Sequence, residues 1–83
     1  SGGRAPGHYV TRLPVCSGTK AIRAFKRAGW VEDRTRGSHV TLIKPGAAVI
    51  LTVPLSTELD RGLLRGLIRK AGLTVEEFSD LLG

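Results

Sequence analysis

Residues 37–53, GSHVTLIKPGAAVILTV, decide the fold that we predict for this chain. Two runs rich in Val, Ile, Leu and Thr flank a Pro-Gly pair, a composition typical of two β-strands joined by a turn. Pro45 and Gly46 stand at the two central positions that a type II turn prefers. We therefore predict strands over 37–44 and 47–53 that pair as an antiparallel hairpin, and a further strand over 30–34.

The period of two in these strands separates two faces. Val40 and Leu42 share one face, whereas His39, Thr41 and Ile43 share the other. Both faces are partly apolar, so the alternation does not decide which of them the helices cover.

Helical periodicity borders the strands on both sides. Residues 18–29 follow the N-cap candidate Ser17 and set an apolar arc against four cations, Lys20, Arg23, Lys26 and Arg27. Residues 61–71 follow Asp60 and set an outer stripe of Arg61, Arg65, Arg69 and Lys70 against an apolar arc of Leu63, Leu64, Leu67, Ile68 and Ala71. Thr74 and Glu77 have the spacing of a capping box, which predicts a short final helix.

This order of elements predicts an α+β fold, in which a small three-stranded antiparallel sheet carries the helices on one face. Residues 12–83 are predicted to form one domain. Residues 1–11 lack periodicity and are rich in Gly and Pro, which predicts a disordered leader. Because the chain contains no methionine, we interpret part of this leader as expression-tag sequence.

The charge of the chain predicts a polyanionic partner. Lys and Arg number 13 against 7 Asp and Glu, a net charge of +6, and the excess lies in residues 1–57. Such a cationic surface favours nucleic acid, although charge alone does not separate that partner from an acidic protein.

Several other classes of function are disfavoured. Cys16 is the only cysteine, which excludes an intrachain disulfide and a cysteine zinc cluster. No apolar run approaches the roughly 18 residues that span a bilayer. We predict a cytoplasmic protein without a metal, a cofactor or a membrane partner.

Gly37-Ser38-His39 is the candidate for chemistry. Histidine exchanges protons near neutral pH, and the preceding Arg34-Thr35-Arg36 supplies natural partners for phosphate. A histidine that begins a strand is more often an ordinary surface residue, so this tripeptide indicates catalysis only together with the residues around it. The predicted RNA contacts are Lys20, Arg23, Lys26, Arg27, Arg34, Arg36, Gly37, Ser38 and Lys44.

The chain resembles the HicA family of toxins. The resemblance covers roughly residues 12–82 and rests on a set of short motifs: Leu13-Pro14 before a capped helix, Ala28-Gly29-Trp30, Arg36-Gly37-Ser38-His39, Val53-Pro54, and Leu73 to Phe78 after a glycine-ended helix. It implies an mRNA interferase whose fold is like that of double-stranded-RNA-binding domains, neutralised by a HicB antitoxin.

The resemblance also assigns the catalytic role to His39. That residue would act as a general base on a ribose 2′-hydroxyl, without a metal, and Arg34, Arg36 and Lys44 would stabilise charge on the phosphate. Family members often carry a His or another polar residue shortly after the Val-Pro, whereas Pro54 here is followed by Leu55-Ser56; this leaves no second His near the site, so no general acid is assigned. Two other readings of the chain remain: a noncatalytic RNA-binding module, and a basic subunit that docks on an acidic protein.

Overall fold

The computed structural model describes residues 12–83, so the predicted leader over 1–11 lies outside the described residues. The elements follow one another as α1 (Gly18–Arg27), β1 (Val31–Arg36), β2 (His39–Ile43), β3 (Leu51–Pro54), α2 (Arg61–Lys70) and α3 (Val75–Leu82). The strands form an antiparallel sheet in the order β1-β2-β3. The predicted α+β class is confirmed, and the likeness to double-stranded-RNA-binding domains stays a prediction.

The helices cover the face of the sheet that carries Val40 and Leu42. These two residues pair with Val53 and Leu51, and all four side chains are buried. Helices α1 and α2 pack against β3, and α1 also packs against α3. Thr41 and Thr52 pair on the alternate face, which the described helices leave open; Thr41 is half-buried and Thr52 is exposed.

The buried faces and the N-caps of the helices agree closely with those predicted from the sequence. Ser17 accepts a hydrogen bond from the backbone of Lys20, Asp60 caps α2, and Thr74 with Glu77 forms the predicted capping box. Phe25 of α1 and Phe78 of α3 are fully buried, with their ring centroids 5.0 Å apart. One predicted core residue is wrong: Leu63 is 39% exposed, because the buried arc of α2 is centred on Leu64, Leu67 and Ile68.

The strand bounds differ from the prediction at both turns. Gly37 and Ser38 lie in the turn between β1 and β2 rather than in β2, since Arg36 pairs with His39. Gly37 has a φ of +60° and Ser38 does not have a positive φ, the pattern of a type II′ turn, whose twist matches that of the paired strands. Strand β1 therefore runs from Val31 to Arg36, and not over 30–34.

The Pro-Gly turn is present, but β3 does not follow it directly. The amide of Ala47 donates to the carbonyl of Lys44 at 3.0 Å, and Gly46 has a φ of +86°. The predicted strand over 47–53 begins only at Leu51, and residues 47–50 are exposed. A type II turn splays the chains that flank it, so the connection takes extra residues before the ladder can form.

Candidate functional site

His39 lies at the rim of the open face. It belongs to the last pair of the β1–β2 ladder, opposite Arg36, and also pairs with Pro54 on β3. Its side chain is exposed, while the next residue, Val40, is buried on the helix side. The alternation of the strand thus presents the imidazole to solvent on a rigid base.

A shallow depression of about 340 Å³ surrounds the imidazole on this face. It is lined by Arg34, Arg36, His39, Thr41 and Thr52. Two guanidinium groups and two hydroxyl groups thus share the depression with the histidine. This arrangement offers hydrogen-bond donors and positive charge to a phosphate beside a proton acceptor.

A β-bulge in β1 decides that the two arginines share this face. Glu32 pairs with Leu42, and Arg34 pairs with Thr41, so Asp33 is an extra residue in the ladder. Without the bulge, alternation from Glu32 would turn Arg34 and Arg36 to the helix side. The Asp33 carboxylate accepts a hydrogen bond from Arg34 Nε at 3.3 Å, and in the described chain Arg36 forms no ion pair.

Lys44 is not brought to His39. It lies five residues further along the chain, about 17 Å at the rise of a strand. Its side chain extends over Gly29, where a Cβ atom would meet Lys44 Cε at 3.2 Å. A cation there lies just beyond the C-terminal end of α1, a position that the helix dipole favours.

The four cations of α1 do not line the depression around His39 either. Lys26 Nζ lies 2.7 Å from a carboxylate oxygen of Glu32, and Arg27 donates to the carbonyl of Leu81 at 2.6 Å. Lys20 and Arg23 form no ion pair within residues 12–83. The sequence predicted one continuous basic arc, whereas the structure engages two of its members in contacts within the protein.

The segment after Pro54 lies beside the turn that precedes His39. The amide of Leu55 donates to the carbonyl of Ser38 at 2.6 Å, and the carbonyl of Ser56 accepts from the amide of Gly18 at 2.9 Å. Hydrogen bonds of the backbone, rather than a polar side chain, thus connect this segment to the site. The depression is lined by neither a carboxylate nor a second imidazole.

Thr41 and Thr52 line the depression, although the sequence analysis proposed neither as a site residue. They pair directly with each other across β2 and β3. The strand alternation had placed Thr41 on the face of His39, but Thr52 depends on the register of β3.

Among residues 12–83, no three His, Cys, Asp or Glu side chains are grouped so that they could hold a metal ion. Burial raises the pKa of the Cys16 thiol, and the Lys20 ammonium opposes this with a smaller effect. The raised pKa disfavours a reactive thiolate. No described helix has the length and apolar character to cross a membrane.

Comparisons with known proteins point to one kind of system. A family model described as the HicA toxin of bacterial toxin-antitoxin systems matches residues 18–73. A chain of a solved structure, described as a toxin-antitoxin complex from Streptococcus pneumoniae, is similar to this chain with 29% identity and a TM-score of 0.60. That similarity covers 69% of this chain and 97% of the other. A search among curated proteins gave no match.

Proposed function

The chain belongs to the HicA toxin family of toxin-antitoxin systems, and from this membership we propose that it is an endoribonuclease that cleaves mRNA with His39 as its general base. The observation that carries the proposal is the shared depression of His39, Arg34 and Arg36 on the open face of the sheet. We further propose that a cognate HicB-type antitoxin is its protein partner, and that it acts in the cytoplasm, where mRNA is found.

The proposed reaction uses the groups that line this depression. Neutral His39 takes the proton of a ribose 2′-hydroxyl, and the resulting oxygen attacks the adjacent phosphorus. The bond to the 5′-oxygen breaks, which gives a 2′,3′-cyclic phosphate and a 5′-hydroxyl end. Water protonates the departing oxygen, since the depression is open to solvent and its lining besides His39 consists of two arginines and two threonines.

Arg34 and Arg36 act on the phosphate in this scheme. Their guanidinium groups offer donors to the non-bridging oxygens as negative charge builds in the transition state. Thr41 and Thr52 offer hydroxyl groups to the same nucleotide. Lys44 is omitted from this role because its side chain lies over Gly29.

Cleavage of end-labelled RNA by the parent and by His39 variants tests the proposal. We expect His39→Ala and His39→Gln to lose cleavage by about a hundred- to ten-thousand-fold, the usual contribution of a general base. Both variants should stay within about 0.5 kcal/mol of the parent's free energy of unfolding, because the side chain is exposed. The parent should leave DNA of the same sequence intact, since DNA lacks the 2′-hydroxyl.

The same assay separates the enzyme from the two noncatalytic readings. A noncatalytic RNA-binding module would bind RNA but never cut it, with or without His39. A subunit that only docks on an acidic protein would neither bind nor cut. Cleavage by purified His39→Ala at the parent's rate would remove the histidine from the mechanism, and a product without a cyclic phosphate end would contradict the proposed attack.

A further inference from the structure

A second depression lies on the helix side of the sheet, between α1 and β1. It has a volume of about 370 Å³. Helices α1 and α2 pack against β3, whereas every residue of β1 is exposed and α1 reaches this strand through the Lys26–Glu32 ion pair. We call this depression the α1–β1 groove; its lining residues are Thr19, Ile22, Arg23, Lys26, Glu32, Thr35, Val40 and Leu55.

The lining of the α1–β1 groove combines an apolar floor with polar edges. Ile22 and Val40, both more than nine-tenths buried, contribute apolar atoms, and Leu55 adds an exposed apolar side chain. Arg23 and the hydroxyl of Thr35 lie along the groove, and the Arg23 guanidinium has no ion-pair partner within residues 12–83. A planar apolar ring with hydrogen-bonding edges, as in a nucleobase, suits such a lining, and an arginine can stack on its face.

The α1–β1 groove and the His39 depression are separated only by the end of the β1–β2 hairpin. Thr35 lines the groove, whereas its neighbours Arg34 and Arg36 line the depression. In the same way, Val40 lines the groove and its neighbour His39 lines the depression. Because Arg36 and His39 form the last pair of the ladder, only the exposed two-residue turn separates the two sides.

We propose that the α1–β1 groove binds the base of a nucleotide that flanks the cleaved bond, in an RNA strand that bends over the Gly37–Ser38 turn. The inference rests on the proposed ribonuclease function and makes Arg23 a base-stacking residue. Size favours this occupant over a protein segment, and the positive charge of Arg23 suits an RNA strand. The groove carries the Arg23 guanidinium, which has no ion-pair partner within residues 12–83, and its volume lies in the range of sites for a single small group.

An abasic scan tests this subsite. Short RNA substrates with one preferred cleavage position each carry a single abasic nucleotide, placed in turn at the positions on either side of the cut, and kcat/KM is measured. We expect one position, one or two nucleotides from the cut, to lose about 5- to 150-fold, the fold-change that corresponds to one stacked base. The remaining positions should change much less.

Variants link the sensitive position to the groove. In Arg23→Gln and in Thr35→Val the penalty of the abasic nucleotide should shrink by severalfold, because the base has already lost its contact. Arg65→Gln is the matched control: it removes the same charge from an exposed position of α2 and should keep the full penalty.

The possible outcomes separate this inference from the proposed function. A parent that cleaves RNA but shows no sensitive position, or shows the same penalty in Arg23→Gln and Thr35→Val, overturns the base subsite and leaves the ribonuclease intact. Loss of antitoxin binding in Arg23→Gln, with an unchanged abasic profile, assigns the groove to the protein partner and also overturns it. A parent that cleaves no RNA refutes the proposed function, and the subsite with it.

Discussion

Substituting Gly18 by Ala should destabilise the protein and disturb the site, because the first turn of α1 touches the end of β3. Gly18 is buried, and its amide donates to the carbonyl of Ser56 at 2.9 Å. A Cβ atom at this position would overlap the carbonyl oxygen of Pro54 and lie 3.0 Å from Leu55 Cα. These obstacles are backbone atoms, so the helix end or the strand end must move.

The size of the effect follows from three contributions. Overpacking of a close contact costs about 1–3 kcal/mol, and weakening the hydrogen bond to Ser56 costs about 0.5–1.5 kcal/mol. The better helix propensity of Ala offsets at most about 1 kcal/mol of this loss of stability. We expect a net loss of about 1–3 kcal/mol, which lowers the Tm of a domain of this size by roughly 4–8 °C per kcal/mol.

Gly66→Ala is the matched control. Gly66 lies in the middle of α2, is exposed, and would bring a Cβ atom within 4 Å of nothing. The same change there should stabilise the protein by about 0.5–1 kcal/mol. Urea denaturation followed by the fluorescence of Trp30, the only tryptophan and a buried one, measures both variants.

The two glycine variants should therefore shift the denaturation midpoint in opposite directions. Gly18→Ala should also slow RNA cleavage, since Pro54 pairs with His39 and must move with Leu55. Equal or higher stability of Gly18→Ala relative to the parent would refute the close contact between α1 and the end of β3.

The remaining predictions concern RNA affinity, the core and Arg27. Changing Arg34 and Arg36 together to Gln in a His39→Ala background should flatten the slope of log K against log salt by roughly 1.4 for single-stranded RNA. Their role would be contradicted by the same slope as in His39→Ala alone. Equal flattening in a control that changes Arg65 and Arg69 of α2 would also contradict it. Phe25→Ala, which empties a fully buried contact with a second ring, should cost about 3–5 kcal/mol by denaturant titration. Arg27→Gln should lower the free energy of unfolding by about 1 kcal/mol through its lost bond to Leu81, with little change in RNA affinity; the reverse pattern would make Arg27 an RNA contact after all.

The sequence predicted best what depends on neighbours a few residues away. Ser17, Asp60 and the Thr74–Glu77 pair cap their helices because their side chains reach amides three residues on. The alternation of β2 correctly separated His39 from Val40, since successive side chains of a strand point to opposite faces. Both properties are local, so a single sequence contains them.

The strand ends were predicted less well, because they depend on pairing between segments. A Pro-Gly turn was visible in the sequence, but the start of β3 at Leu51 is fixed by its pairing with Leu42. Likewise, Gly37 and Ser38 became a turn because Arg36 pairs with His39.

What the sequence by itself determined is the set of elements, the apolar faces of the helices, and the placement of His39 on the face of β2 opposite Val40. Only the tertiary structure decided which cations share that face. The bulge at Asp33 turns Arg34 and Arg36 toward His39, while Lys26 and Arg27 are engaged by Glu32 and by the carbonyl of Leu81. The physical reason is that a ladder's register and the partner of a long cationic side chain are set by contacts between segments distant in the chain, about which local periodicity carries no information.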